Sequence, residues 1–296
     1  MSFTQPQRAA RSRALRARHA LRLAGMRALF AVLDRSRPQT AARRAIDIWT
    51  TLPGNPGRRK DFRPCPGELG EVRTVRGARC VVETWGEGPV VYLVHGWGGW
   101  RGQLGAFVAP LVAAGCRVVA FDAPGHGESE PSVLGPGKGS FPEIVEAFTA
   151  VGEAFGPAAG VVAHSLGCHV ASVVVHRRLE AGRMALVAPS QDFGAITEEF
   201  ARILGFTERT RSRMQAIMED FLGEPLGAYD LEPLGAGLPP TLLVHDRLDK
   251  ETPFAVGERL ARSWPTAVFH PTEGLGHQRI LADEGVVRRV AAHLLG

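Results

Sequence analysis

The sequence predicts an α/β fold: a doubly wound, mostly parallel sheet with a helical cap insertion. Three observations support this prediction. Short apolar runs alternate with amphipathic helical patterns from about residue 71 to residue 294. One of these runs, VVYLV at 90–94, is apolar throughout, as is typical of a parallel strand covered on both faces. Residues 190–238 break the alternation with two helical patterns, which predicts an insertion beyond the carboxyl ends of the strands.

The individual elements follow from periodicity and from the glycines and prolines between the runs. The first two strands are expected to pair through a turn at Gly77. Strands are predicted at 71–76, 79–85, 89–95, 117–122, 160–164, 183–188, 241–244 and 267–270. Helices are predicted at 103–113, 141–155, 168–179, 254–263 and 278–294.

Charge divides the chain into two parts. Residues 1–60 contain 14 basic and two acidic residues, a net charge of +12, whereas the remaining residues carry −7. We therefore predict a basic, partly helical N-terminal arm and linker at 1–60 and a globular α/β domain at 61–296, with the cap at 190–238. The mildly acidic body argues against nucleic acid as a partner.

The arm contains an amphipathic helical pattern, and 53–57 (PGNPG) resembles a linker. Three interpretations stay open: a helix packed on the domain or partly disordered, an arm that makes weak contact with anionic lipid, and a nucleic-acid or organelle-targeting arm. The lipid hypothesis fails if the intact protein does not co-sediment with anionic vesicles at low salt. The apolar residues at helical spacing and the arginines between them are Leu23, Met26, Phe30, Leu33, Arg22 and Arg27.

Nothing in the chain predicts export. The longest apolar run near the start, 28–33, is too short for a signal peptide, and no stretch is long enough to span a bilayer. Four scattered cysteines, with no zinc-like spacing, favour reduced thiols. A cytoplasmic protein, peripheral at the membrane surface under the lipid hypothesis, is therefore expected.

The first segment predicted to take part in catalysis is AHSLG, residues 163–167. The motif follows a buried apolar run and precedes a helical pattern, the context in which a nucleophile elbow exposes a serine hydroxyl. Such a turn needs small residues around Ser165. Gly167 satisfies this requirement, whereas Ala163 stands where glycine is commoner.

A serine nucleophile needs a base, and the base needs an acid that orients it. On an α/β sheet the three follow in the order serine, acid, histidine. His277 lies in a glycine-bracketed loop after the last predicted strand, and two acids follow the preceding strand. Asp249 is favoured as the acid because it lies in the loop, whereas Asp246 directly abuts the strand and can bind the turn backbone instead.

An acyl-transfer site also needs backbone donors for the oxyanion. The N–H of Leu166 follows the nucleophile at a helix N-terminus, and the loop HGWGGW at 95–100 can supply a second donor. The N–H of Trp97 is preferred as that donor, and the N–H of Gly98 is the alternative. The competing interpretation is that the loop is only a tight turn and binds no oxyanion. The residues expected to shape the site are His95, Gly96, Gly98 and His164.

Together these motifs resemble the α/β-hydrolase superfamily, in particular its bacterial esterase-like members. The matching segments are HGWGG at 95–99, FDAPGHGES at 121–129, AHSLG at 163–167, HDRLDKETP at 245–253 and GLGH at 274–277. They cover about residues 70–296 in the family's order. The resemblance implies that Asp122 and His126 are structural and that 190–238 is a variable cap that sets substrate choice.

The function expected from these residues is that of a serine hydrolase. It cleaves carboxylic esters of a small or medium apolar substrate through an acyl-enzyme and requires no metal or cofactor. A thioesterase, amidase or aminopeptidase on the same triad remains an alternative, because fold does not choose among them. A non-catalytic protein that binds a small ligand under the cap is the alternative from another class. The oligomeric state is not predicted.

Overall fold

A computed structural model describes residues 5–54 and 60–296, which form two compact units. The helical unit contains the chain up to Trp49 together with Phe193–Ala228. The sheet unit contains Thr50–Asp192 and Tyr229–Gly296. Three residues of the predicted linker, at 55–57, lie outside the described residues.

The sheet unit is built on eight strands in the order β1-β2-β4-β3-β5-β6-β7-β8. The pairs β1–β2 and β2–β4 are antiparallel, and all the other neighbours are parallel. The predicted doubly wound, mostly parallel sheet is confirmed. The strands are β1 (Glu68–Arg73), β2 (Arg79–Trp85), β3 (Val90–Val94), β4 (Arg117–Phe121), β5 (Ala158–His164), β6 (Ala181–Val187), β7 (Thr241–Asp246) and β8 (Ala267–Thr272).

Helices separate the parallel strands, as the alternation predicts. A 3₁₀ segment, Arg101–Phe107, leads into the helix after β3, and shorter ones occupy Leu226–Tyr229, Gly235–Gly237 and Ile280–Ala282. The α-helices are α1 (Gln5–Ser36), α2 (Pro38–Trp49), α3 (Val108–Ala113), α4 (Phe141–Phe155), α5 (Leu166–Arg177), α6 (Phe193–Leu204), α7 (Glu208–Leu222), α8 (Leu231–Leu234), α9 (Phe254–Ser263), α10 (Gly276–Arg279) and α11 (Glu284–Leu295).

The apolar character of β3 has a direct cause in this arrangement. Successive side chains of a strand point to opposite faces of the sheet. Val91 and Leu93 join a core cluster with Leu294 of α11, whereas the ring of Tyr92 lies 5.5 Å from that of Phe148 in α4. Both faces are covered, which favours apolar side chains on each; the one polar group, the Tyr92 hydroxyl, donates to the Gly156 carbonyl at 2.6 Å.

The helical unit has a core of its own, made by the N-terminal helices and the insertion after β6. The Phe30 side chain of α1 is fully buried, and its ring centroid lies 5.3 Å from that of Phe206, which connects α6 and α7. Three alanines of α2 face the same cluster as Met214 of α7. Those alanines are Ala41, Ala42 and Ala45.

A polar contact accompanies this core. Asp34 of α1 accepts hydrogen bonds from the Thr207 N–H (3.2 Å) and hydroxyl (2.8 Å) just before α7 begins. Partial burial would raise the pKa of Asp34, but hydrogen bonds from Thr210 and Thr207 outweigh it and lower the pKa. A carboxylate at the start of α7 also interacts favourably with the positive end of the helix dipole.

The structure therefore groups the chain differently from the expected division into an arm at 1–60 and a cap at 190–238. The boundary lies between Trp49 and Thr50, and residues 229–238, which include α8, belong to the sheet unit. The physical reason is that α1–α2 and α6–α7 are each amphipathic, and neither pair can bury its apolar face alone.

The apolar stripe predicted on α1 packs inside this unit. Its members Leu23, Met26 and Leu33 lie against the core around Phe30. Contact with anionic lipid stays a prediction. Among the side chains of α1 that the structure describes, the large apolar ones left exposed are Leu21, Leu29 and Val32. Among the described residues, no helix is long and apolar enough to cross a membrane.

Candidate active site

The turn between β5 and α5 has the backbone strain expected of a nucleophile elbow. Ser165 has φ 55° and ψ −123°, and Ala188 is the other described non-glycine residue with positive φ. A Cβ on Gly167 would lie 2.6 Å from the carbonyl oxygens of both Val94 and His95. Only glycine allows α5 to start this close to the end of β3, which holds Ser165 at the carboxyl edge of the sheet.

Alanine at the first small position of the motif is accommodated. Ala163 is fully buried in β5, where it pairs with Val94 on one side and Leu186 on the other. Its carbonyl oxygen accepts a hydrogen bond from the Cys168 thiol at 3.5 Å. The extra methyl group therefore forms part of the core and does not disturb the turn.

The predicted acid and base are in direct contact. His277 Nδ1 lies 2.7 Å from Asp249 Oδ2, and both side chains are almost completely buried. Asp249 comes from the loop between β7 and α9. His277 lies in the short helix α10, and Gly274 and Gly276 before it have positive φ. The sequence placed this histidine in a loop, so the short helix is a difference from the prediction.

Several donors hold the Asp249 carboxylate. Oδ1 accepts the N–H groups of Glu251 (2.8 Å) and Thr252 (3.0 Å), and Oδ2 accepts the Thr252 hydroxyl (3.0 Å). Burial raises the pKa of Asp249, but the imidazoles of His245 and His277 and the Thr252 N–H outweigh it and hold the pKa well below 3.8. The ionised carboxylate therefore stabilises the fold above pH 3.8, and this contribution is lost as pH falls through the folded-state pKa.

The alternative acid, Asp246, has a different environment. Its Oδ2 accepts hydrogen bonds from the Thr272 hydroxyl (2.8 Å) and the Leu275 N–H (2.9 Å), and its Oδ1 accepts one from the Leu248 N–H (3.0 Å). Asp246 thus joins the loop after β7 to the loop that precedes His277. The carboxylate that contacts His277 is that of Asp249.

His164 links α10, the short helix that contains His277, to the turn at Ser165. Its Nε2 lies 3.0 Å from the carbonyl oxygen of His277, and the two rings are 4.6 Å apart between centroids. Burial lowers the pKa of His164 to about 3, so the neutral ring donates its Nε2–H to that carbonyl. Because His164 directly precedes Ser165, this hydrogen bond ties the backbone of His277 to the turn that contains Ser165.

The loop at 95–100 lies against the elbow. A Cβ on Gly96 would lie 2.9 Å from the carbonyl oxygen of His164, 3.0 Å from Ser165 Cβ and 3.5 Å from the backbone nitrogen of Leu166. Gly98 has φ 65° and packs on Pro53. The close approach explains why this loop needs glycine, and it brings the backbone around Trp97 near the first N–H of α5.

His95, at the start of this loop, is held in one tautomer by its two hydrogen bonds. Its Nε2 accepts the Ala123 N–H at 3.2 Å, so Nδ1 carries the proton and donates to the Gly96 carbonyl at 2.8 Å. The Trp97 ring meets that of His126 edge-on at 5.7 Å.

Within the described residues, Ser165 Oγ has no hydrogen-bond partner, so a bond between Ser165 and His277 is not part of the observed geometry.

Comparison with known proteins identifies the family to which this geometry belongs. A family model described as "Alpha/beta hydrolase family" matches residues 91–291. The chain belongs to the alpha/beta hydrolase family. The match extends from β3, which precedes the 95–100 loop, into α11, and so includes the elbow, Asp249 and His277.

Two esterases are similar to parts of this chain. It is 30% identical over 256 residues to pimeloyl-[acyl-carrier protein] methyl ester esterase of Chromobacterium violaceum, with 72% of this chain and 97% of that protein covered. A shorter match, 36% identical over 85 residues, covers 25% of this chain and 22% of protein phosphatase methylesterase 1 of Bos taurus.

Solved structures of esterases share the alpha/beta hydrolase fold. An esterase from Exiguobacterium antarcticum superimposes with a TM-score of 0.58 at 17% identity, covering 78% of this chain and all of that one. A thermophilic esterase from Thermogutta terrifontis gives 0.58 at 21% identity, covering 76% and 97%. At these identities the likeness concerns the fold alone.

Sequence analysis missed two groups that support the acid in this alpha/beta hydrolase. Buried His245 donates from Nε2 to the Thr252 carbonyl at 3.2 Å, and the same nitrogen lies 3.6 Å from Asp249 Oδ2. The Thr252 hydroxyl lies 3.3 Å from both His245 Nε2 and His277 Nδ1. The available signal was a histidine at the end of an all-apolar strand, four residues before the acid.

A third unpredicted residue, Arg101, supports the 95–100 loop of the hydrolase domain. Its backbone N–H donates to Asp122 Oδ1 at 2.7 Å, and its guanidinium pairs with Asp122 Oδ2. The same guanidinium lies 2.7 Å from Glu83 Oε2, and all three side chains are buried. The structural role implied for Asp122 thus has a concrete form: this carboxylate anchors the residue that follows the loop.

Proposed function

We propose that this alpha/beta hydrolase cleaves carboxylic esters through an acyl-enzyme on Ser165. One observation carries the proposal: an ionised, buried Asp249 binds Nδ1 of His277, whose backbone is tied to the residue before a strained serine. A serine hydroxyl needs such an oriented base to become nucleophilic.

In the first half-reaction His277 Nε2 removes the Ser165 proton as Oγ attacks the ester carbonyl. Asp249 accepts Nδ1–H, keeps the ring in the required tautomer and stabilises the imidazolium that forms. The backbone N–H groups of Leu166 and Trp97 are the proposed donors to the oxyanion, each worth roughly a 10²- to 10³-fold rate increase by analogy with other hydrolases.

The first half-reaction ends when the tetrahedral intermediate collapses and the direction of proton transfer reverses. His277 gives its Nε2 proton to the departing alcohol oxygen, and the acyl group remains on Ser165. Water then attacks the acyl-enzyme and gives its proton to the same nitrogen. The acid is released, and the serine regains its hydrogen.

Methyl esters are the substrate class to test first. Both curated relatives are named for methyl ester cleavage, although their acyl partners differ. Apolar residues in the insertion at 190–238 are the reason for expecting an apolar substrate. Two of them, Leu204 and Met214, are buried in its core, whereas Ile203 and Phe221 are each 40% exposed.

The proposed nucleophile is tested by labelling with a fluorophosphonate, followed by intact mass measurement and peptide mapping. We expect one adduct on Ser165 in the wild-type chain and none in Ser165→Ala. Ser263→Ala, which removes an exposed serine hydroxyl from α9, is the matched control and should label like the wild type. A panel of methyl and longer alkyl esters then measures kcat/KM, expected to fall at least about 10³-fold in Ser165→Ala.

An adduct that persists in Ser165→Ala would contradict the assignment of the nucleophile. A folded wild-type chain that neither labels nor hydrolyses any ester in the panel would contradict catalysis itself. That result would favour the alternative from another class, a ligand-binding protein on the hydrolase fold.

A further inference from the structure

Glu251 has a carboxylate on the reactive side of His277. Its Oε2 lies 4.0 Å from His277 Nε2, the nitrogen opposite the one that contacts Asp249. The Glu251 side chain is 57% exposed. Sequence analysis assigned no role to this residue, and the hydrogen bonds of the triad do not use its side chain.

The position of this carboxylate is fixed from two sides. The Glu251 N–H donates to Asp249 Oδ1 at 2.8 Å, so its backbone is part of the turn that holds the acid. Gln278, the residue after the histidine, places Nε2 3.4 Å from Glu251 Oε2. Glu251 is thus hydrogen-bonded both to Asp249 and to Gln278 in α10, the helix that contains His277.

Nothing in the described part of the chain neutralises Glu251 through an ion pair with lysine or arginine. The other titratable groups facing His277 are Asp249 on the Nδ1 side, neutral His164 beneath the ring, and His245, which contacts Asp249. The outer side of the imidazole therefore faces a carboxylate that no described lysine or arginine pairs with.

We propose that Glu251 makes the site discriminate between alcohol leaving groups by their charge. Cationic alcohol groups are favoured over neutral ones, and anionic alcohol groups are disfavoured. The inference rests on the proposed function, because there His277 Nε2 delivers its proton to the departing alcohol oxygen. That oxygen must approach Nε2 to about 3 Å, which places it within about 7 Å of Glu251 Oε2, so a cationic nitrogen two carbons further along the alcohol group lies within about 11 Å of the carboxylate. Charges at this separation interact measurably when salt is low.

The test uses substrates that differ in charge and not in shape. Choline butyrate and 3,3-dimethylbutyl butyrate share an acyl group and have alcohol groups of the same outline, one cationic and one neutral. Their kcat/KM ratio is measured for the wild type and for Glu251→Gln at low ionic strength. A comparison between variants removes the intrinsic difference in reactivity between the two esters.

We expect the ratio of choline to dimethylbutyl ester to fall about three- to tenfold in Glu251→Gln, and the wild-type ratio to fall toward the mutant value in 0.5 M salt. 2-Sulfoethyl butyrate should change in the opposite direction and become a better substrate of Glu251→Gln. Glu258→Gln removes an equal charge from α9, where the glutamate lies 3.9 Å from Arg262, and should leave the ratio unchanged.

An equal loss of kcat/KM for both esters in Glu251→Gln overturns the inference, because a purely structural role affects both alike. An unchanged ratio overturns it as well. If the wild type labels at Ser165 but hydrolyses none of these esters, paired phosphonothiolates with thiocholine and dimethylbutanethiol leaving groups measure the same ratio as rates of inactivation. Absence of any reaction at Ser165 contradicts the proposed function instead.

Discussion

Asp249→Asn is expected to lower kcat/KM for ester hydrolysis about 10³- to 10⁴-fold while the chain stays folded. The amide can still accept the N–H groups of Glu251 and Thr252, so the turn is retained. What is lost is the carboxylate oxygen 2.7 Å from His277 Nδ1. An amide nitrogen in that place leaves the imidazole in the wrong tautomer and removes the charge that stabilises the imidazolium.

The matched control is Asp246→Asn, the other acid after the same strand. Asp246 binds the Thr272 hydroxyl and the Leu275 N–H, and we expect its replacement to lower the melting temperature first. Steady-state kinetics and thermal unfolding of both variants separate the two effects. If Asp246→Asn loses more activity than Asp249→Asn at a temperature where both are folded, the assignment of the triad acid is wrong.

Phe30→Ala is expected to destabilise the helical unit by about 3–5 kcal/mol, the usual cost of truncating a fully buried phenylalanine to alanine. Phe30 is fully buried between Phe206 and the alanines of α2. The measurement is amide hydrogen exchange along α6 and α7, whose opening should become faster even though they lie far from position 30 in the sequence.

Leu21→Ala is the control, because Leu21 lies on the same helix and is 76% exposed. We expect it to leave exchange in α6 and α7 unchanged. If Phe30→Ala accelerates exchange only within α1, the N-terminal helices and the insertion do not share a stable core, and the grouping described above is wrong.

The proposed triad follows from the sequence because each of its residues has a local signal. Ser165 lies between small residues at the end of an apolar run, and Asp249 and His277 follow later strands in the expected order. Parallel topology then brings all three to one edge without further information. Two acids follow the same strand: position in the loop favours Asp249, and the hydrogen bonds then show that Asp249 contacts His277 whereas Asp246 binds the Leu275 N–H.

The supporting groups could not be predicted in this way. Arg101 acts through Asp122 and Glu83, which are distant in sequence, and arginine after a glycine-rich loop predicts an exposed side chain as readily as a buried one. His245 and Thr252 are close to Asp249 in sequence, but their roles depend on how the loop turns. The helical periodicity of α1 predicts an apolar face without identifying what covers it, and for this reason α6 and α7 were not expected as its partners.

The helical unit also has a consequence for the order of events during synthesis. Its two segments are separated by the 143 residues of Thr50–Asp192. At about 5–20 residues per second, the ribosome reaches α6 some 7 to 30 s after completing α2. During that interval Phe30 and the alanine row of α2 have emerged without the helices that bury them in the finished chain. The apolar faces of α1 and α2 are therefore without their native partners for seconds of synthesis.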